Sequence, residues 1–348
     1  MNFDNTGEPL RRQDAKEKPS KSFAGWSARF GLGCGSLLVA GAIAALATPA
    51  QAGESYAMTV GEGRTYGWRC EQTVFQQTLG DRIEHRTVID WDLDLLCREV
   101  LPDRIRLSLT VLRVQASHQS PGTRSRIDTG SDLAADADPG KDPVLGHLVV
   151  FDHATIGLEL DPTTGRVLSA TGGERLVAAA LAHLRAKLQG EPSAALAERT
   201  RAAYADPALA RMWTRILELP PAAAGSATGS SLTGSSLTGN AATVAETWDF
   251  DAGVVRGAVD RRWSGAAYTV ALPVGTQSLP VTISSDPALP IAGKVESVTG
   301  DGVVRPLVSG WPGGMSQTLV FRLVLDASTQ PVTQEHRLTV NFAPRPLR

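Results

Sequence analysis

A chain of 348 residues that is 42% hydrophobic and 20% charged can bury a sizeable core in one or two ordinary domains, which excludes a largely disordered protein. A formal net charge of -2 and a pI near 6.3 exclude the strongly basic face that displaces phosphate counterions, so no nucleic-acid partner is expected.

The first 52 residues read as a signal peptide. Arg11, Arg12, Lys16, Lys18, Lys21 and Arg29 precede the uncharged run from Phe30 to Thr48, and Ala50-Gln51-Ala52 offers small residues for cleavage. The alternative is an inner-membrane anchor left uncleaved over 30–48, since about 20 apolar residues span a bilayer. Arg11-Arg12 lies too far upstream for a twin-arginine signal, and Cys34 sits too early in the apolar run for a lipid-modified cysteine. An exported chain starting near Gly53 is periplasmic or extracellular and keeps two cysteines, Cys70 and Cys97, where a disulfide would persist. Two thiols without histidines at finger-type spacing make no zinc site.

Tyr66, Trp68, Cys70 and Val74 share one parity, and Ile83, Ile89, Trp91, Leu93, Leu95 and Cys97 continue the alternation beyond Gly80-Asp81. Period two over such lengths predicts half-buried strands, and Leu101-Pro102-Asp103 turns the second into "RIRLSLTVLRV". A hairpin centred on Gly80-Asp81 sets Cys70 opposite Trp91. A Cys70–Cys97 bridge then needs a bulge or another register to bring the Cα atoms within roughly 4.4–6.8 Å, and both outcomes stay open.

A polar loop from Gln119 to Gly146 follows, then a hairpin around Asp161-Pro162-Thr163-Thr164-Gly165. Thr171 and Glu174 form a capping box for a helix with Leu176, Val177, Ala180, Leu181, Leu184 and Leu188 on one face. A second helix is expected after Ser193, and a third starts at Asp206-Pro207, with Asp206 as its N-cap, Pro207 at the first helical position and the stripe Leu209, Met212, Trp213, Ile216 and Leu217. Residues 220–242, with SSLTG in tandem, read as a flexible Gly/Ser/Thr linker. From Val244 onward, short alternating segments predict a second antiparallel sheet or the other half of one sheet. "LELDPTTGRVLS" and "LVLDASTQPVTQ" echo each other as strand, Asp-led turn and strand.

The order "YGWRCEQTV", "IDWDLDL", "RIRLSLTVLRV", "IGLELDPTTGRVLSATG", helix, linker, "ETWDF" and terminal hairpin resembles an uncharacterised family of exported, β-rich proteins of planctomycete-like bacteria. The resemblance runs from about Tyr56 to Phe342 and implies no assigned activity.

Asp90, Asp92 and Asp94 alternate along one strand, and Leu95 and Leu101 stand where an EF-hand starting at Asp90 requires Gly and Glu. They are expected to face water and to pair with Arg104 and Arg106 on the next strand. Asp128, Asp132, Asp136, Asp138 and Asp142 match no calcium-loop spacing. No nucleophile elbow, HExxH or glycine-rich phosphate motif occurs. His147 and His153 flank the strand-like "LVVFD" and, with Asp152, are the nearest approach to a base or metal ligand. Trp311, in the turn "SGWPGG", is the tryptophan expected to make an exposed contact.

The sequence therefore predicts an α+β protein, mainly antiparallel β. A β-sheet half with C-terminal helices occupies 53–219, and a second β half spans 243–348. No catalytic, cofactor or metal residue is assigned. The expected function is a non-catalytic binding or structural module of the cell envelope, with an unknown envelope partner. The alternatives are a periplasmic carrier of an apolar ligand and a hydrolase without a recognisable motif.

Overall fold

The computed structural model describes residues 54–78, 81–130, 145–221, 244–252, 255–283, 291–325 and 332–345. The expected signal peptide or anchor, most of the aspartate-bearing loop and almost all of the expected linker lie outside them. Among the described residues, no helix is long and apolar enough to cross a membrane.

Among the described residues, period-two alternation becomes thirteen strands. They are β1 (Gly63–Thr78), β2 (Asp81–Val100), β3 (Ile105–Ser120), β4 (Thr123–Asp128), β5 (Thr155–Leu160) and β6 (Val167–Thr171), then β7 (Val244–Ala252), β8 (Val255–Ser264), β9 (Ala267–Ala271), β10 (Leu279–Ile283), β11 (Ile291–Val304), β12 (Met315–Leu325) and β13 (Val332–Pro344). Three helices separate the halves: α1 (Gly173–Leu188), α2 (Ala194–Tyr204) and α3 (Asp206–Leu217). The fold is α+β and mainly antiparallel, as the alternation implied.

Both halves enter one open antiparallel sheet in the order β6-β5-β3-β2-β1-β13-β12-β11-β9-β8-β7, with β10 on β11 and β4 on β3. The first and last strands meet at its centre, where Trp68 faces Phe342 and Cys70 faces Val340. The two sequence echoes, β5–β6 and β12–β13, are both antiparallel hairpins.

The sheet is rolled. Nine strand spacings separate β6 from β8, roughly 43 Å if laid flat at about 4.8 Å each. Yet the end of α3 touches both. The Val167 amide of β6 donates to Thr214 Oγ1 at 3.0 Å, the Leu219 amide donates to the Thr164 carbonyl at 2.8 Å, and Arg261 of β8 donates to Glu218 Oε2 at 2.8 Å. Six residues of chain therefore staple the two sides of the sheet. Gly165, at φ +72°, makes the staple fit, because a Cβ there would overlap the Leu217 carbonyl oxygen.

The β1–β2 register differs from the expected one. Cys70 pairs with Ile89 and Trp68 with Trp91, so the pairing is centred one residue earlier than a turn at Gly80-Asp81 would set it. Moving a hairpin centre by one residue moves every partner by two, which preserves the faces while changing the pairs. No bridge joins Cys70 to Cys97; both are buried thiols. Cys97 lies eight residues beyond Ile89 along β2, roughly 27 Å at strand rise, and no bulge closes that gap. Melting temperatures with and without reductant should coincide, and thiol titration of the denatured, oxidatively prepared protein should count both cysteines.

Two helix starts also differ from expectation. The residue before α1 is Gly172, at φ 104°, and no side chain caps it locally. Asp206 Oδ1 accepts instead from the Gly173 amide at 2.7 Å, so the expected cap of α3 serves α1. Ser193 does cap α2, accepting from the Leu196 amide. "LVVF" forms a short 3-10 helix, Gly146–Phe151, rather than a strand.

Candidate functional site

The inner face of the rolled sheet divides into two zones. The first is covered. Trp68 and Trp91 stack at 5.5 Å, Trp213 of α3 tilts onto Trp68 at 5.3 Å, Phe151 meets Trp91 edge-on at 4.9 Å, and Tyr204 of α2 closes the chain at 5.5 Å from Phe151. The stripe read from α3 supplies this cover, with Leu209, Trp213, Ile216 and Leu217 all buried. Tyr56 donates to the Leu217 carbonyl at 2.7 Å from below. The indole N–H groups of Trp68, Trp91 and Trp213 are buried without a hydrogen-bond partner among the described residues.

The second zone lies toward the β1–β2 and β12–β13 hairpins. There the inward residues Gln72, Val74, Gln76, Ile83, His85, Thr87 and Gln334 are only half-buried. His118 and His336 stay buried beside them, each 5% exposed. The rings of His85 and His118 stack at 6.3 Å, and His336 tilts on Phe321 at 5.7 Å. Burial holds the His336 imidazole down to about 4. Burial, then the neighbouring His118, also lowers His85. Burial thus favours the neutral form of both rings, while an unfolded histidine titrates near 6.5.

Between about pH 6.5 and 4 the unfolded chain binds more protons than the fold, so stability is full above pH 6.5 and falls as pH drops through that window. For His336 alone the loss is on the order of 3 kcal/mol. Denaturation midpoints measured from pH 7 to pH 4 should decline accordingly, and less steeply in His336→Phe.

The seam, where the end of α3 bridges β6 and β8, carries the most buried charge among the described residues. Arg261, 3% exposed, pairs with Glu218 and Glu246, and its guanidinium lies over Trp263 at 4.7 Å and Tyr268 at 5.3 Å. The Trp263 indole donates to Glu246 at 2.8 Å. Burial pushes the Glu218 carboxyl up, and the Arg261 guanidinium pulls it partly back.

Of the residues singled out from sequence, Trp311 is corrected outright: it is 1% exposed. Ser309 and Gly310 both adopt positive φ, and Val308 and Trp311 bond to each other across them, which folds the indole inward. Gly310 packs so closely on the Ala57 carbonyl that a Cβ would overlap it. Asp90 and Asp92 lie on the outer face as expected, but Asp90 pairs with Arg69 at 3.0 Å and Asp92 with Arg345. Arg106 engages Glu99 and Glu159 instead, and Arg104 bonds Asp103, because the β2–β3 turn sets Arg106 opposite Glu99 and carries Asp94 on to Thr110. Asp128 is the described member of the aspartate loop. Arg113 holds it well below the usual carboxylate range, with Gln115 and the Gly130 amide also donating to it. His153 is exposed, and its Nε2 lies 4.0 Å from Asp152. Among the described residues, no group of three or more His, Cys, Asp or Glu is arranged to hold a metal.

Sequence reading missed the seam and the histidine–glutamine zone. The seam pair is 43 residues apart across the expected linker, where no periodicity links the two ends. The second zone did leave a signal, since apolar inward residues give way to His, Gln and Thr at the same distance from the turn on neighbouring strands.

What these elements define is an open, rolled antiparallel sheet with a helical layer in its concavity. No protein-family model and no curated protein matches the chain. Among solved structures the chain is similar to one described as "lipid-protein interactions in lipovitellin", with 8% identity and a TM-score of 0.32. That match covers 84% of this chain and only 26% of the other, so this chain spans about a quarter of its length. A likeness of that size defines neither fold nor function.

Proposed function

We propose that the protein is an exported, non-catalytic binding module of the cell envelope that carries an apolar ligand against the inner face of its rolled sheet. The observation that supports this reading is the half-exposed second zone. Val74 and Ile83 stand on an inward face continuous with the buried Cys70, Ile89, Leu338 and Phe321, so the core surface runs out to solvent there. A concave apolar surface beside a few polar groups is the usual form of a small-molecule site. Among the described residues, the groups with shifted pKa values lie in the seam, on the outer ladder, at single buried positions and, as His85 and His336, on the inner face of the second zone itself.

The test is saturable binding of the apolar dye N-phenyl-1-naphthylamine to the full-length protein, read by energy transfer from tryptophan. One dye per chain, released by an acyl lipid, is the expected result. Non-saturable or absent binding sinks the carrier and leaves an envelope partner as the function of the module.

A further inference from the structure

Four adjacent strands change character at one level. One row inside the second zone, Ala116, Ile89, Cys70 and Val340 lie side by side and are all apolar. The next row outward is His118, Thr87, Gln72 and Leu338. Then come His85, Val74, His336 and Phe321, and after them Ile83, Gln76, Gln334 and Leu323. Polar side chains on β3, β2, β1 and β13 thus face inward together, beside an apolar flank on β12. A sheet face that only needed a core would continue apolar to its end.

The polar groups are partly tied to one another. His336 Nε2 meets Gln334 Oε1 at 3.0 Å, the Gln334 amide donates to Gln76 Oε1 at 3.0 Å, and Thr87 Oγ1 lies 2.9 Å from His118 Nδ1. Two ring atoms remain: Nδ1 of His85 and Nδ1 of His336 are buried without a hydrogen-bond partner among the described residues. Burying such an atom unpaired is costly, and a ligand that bonds to it recovers the cost.

The charge arrangement narrows the ligand. The nearby cations point to the other face, where Arg82 and Arg337 lie over Phe75, Arg86 binds Glu71, and Arg337 also binds Glu335. The inward rows hold no Lys or Arg, and burial disfavours a charge on His85 and His336. A phosphate or carboxylate would find no counter-charge there, whereas hydroxyl and amide groups would find both donors and acceptors.

We infer that this zone is a recognition site for the uncharged, hydrogen-bonding head group of an amphipathic lipid, with its acyl chain toward the apolar flank of β12. The inference rests on the carrier reading and adds the ligand class. It is tested with the full-length protein by displacing bound N-phenyl-1-naphthylamine with three oleoyl amphiphiles: mono-oleoylglycerol, oleate and oleoyl-lysophosphatidylcholine. The neutral glycerol ester should displace the dye at concentrations about tenfold lower than the other two, the weight of one or two net hydrogen bonds. His85→Leu and Gln76→Leu, both at half-buried positions, should each bring that ratio toward one in protein that melts cooperatively. Equal displacement by all three lipids, unchanged in both variants, overturns the head-group site while the bound dye upholds the carrier. Failure of the dye to bind overturns both.

Discussion

Arg261→Leu is expected to destabilise the fold by about 3–5 kcal/mol, because it removes one partner of a buried ion pair and leaves the other charge uncompensated. The guanidinium is 3% exposed and holds both Glu218, at the end of α3, and Glu246 on β7. Losing it strands Glu218 in a site where burial already disfavours its charge. The damage should be local before it is global. Amide exchange should accelerate first at Val167 and Leu219, whose hydrogen bonds belong to the same staple. The triple change Arg261→Leu, Glu218→Leu, Glu246→Gln should regain most of the loss, since replacing a whole buried ion pair by apolar groups is often neutral. Chemical denaturation of the single and triple variants checks both points.

Trp213→Ala is expected to cost about 3–5 kcal/mol, the range for truncating a buried large aromatic and leaving a cavity. Trp213 is 1% exposed and joins α3 to Trp68 at the centre of the covered zone. Its indole N–H has no partner among the described residues, so Trp213→Phe, which removes that N–H and keeps much of the ring, should cost far less. Equal losses in the two variants would mean that the N–H makes a bond that the packing account omits.

Faces were legible in the sequence, and registers were not. Alternation placed Tyr66, Trp68, Cys70, Leu93 and Leu95 on one buried side, because side-chain period depends on parity alone. Pairing depends on where the turn centres and where bulges fall. A one-residue error in the β1–β2 register, and a β2–β3 turn that sets Arg106 opposite Glu99, therefore changed the partners of Cys70, Asp90 and Asp92 without moving them to the other face. The α3 stripe was legible because Pro207 and the apolar spacing fix it locally. Its closure of the sheet was not, since Glu218 and Arg261 meet only when the whole sheet rolls. Trp311 was misjudged for a related reason. "SGWPGG" has the composition of an exposed turn, yet its glycines let the backbone press against Ala57, Pro306 and Phe342, which draws the indole inside.

The full-length protein, exported, purified without detergent and weighed by native mass spectrometry before and after denaturation, should carry an extra mass of lipid size that is lost on unfolding. A bare chain mass in both states, from protein that melts cooperatively, would contradict a ligand on the inner face.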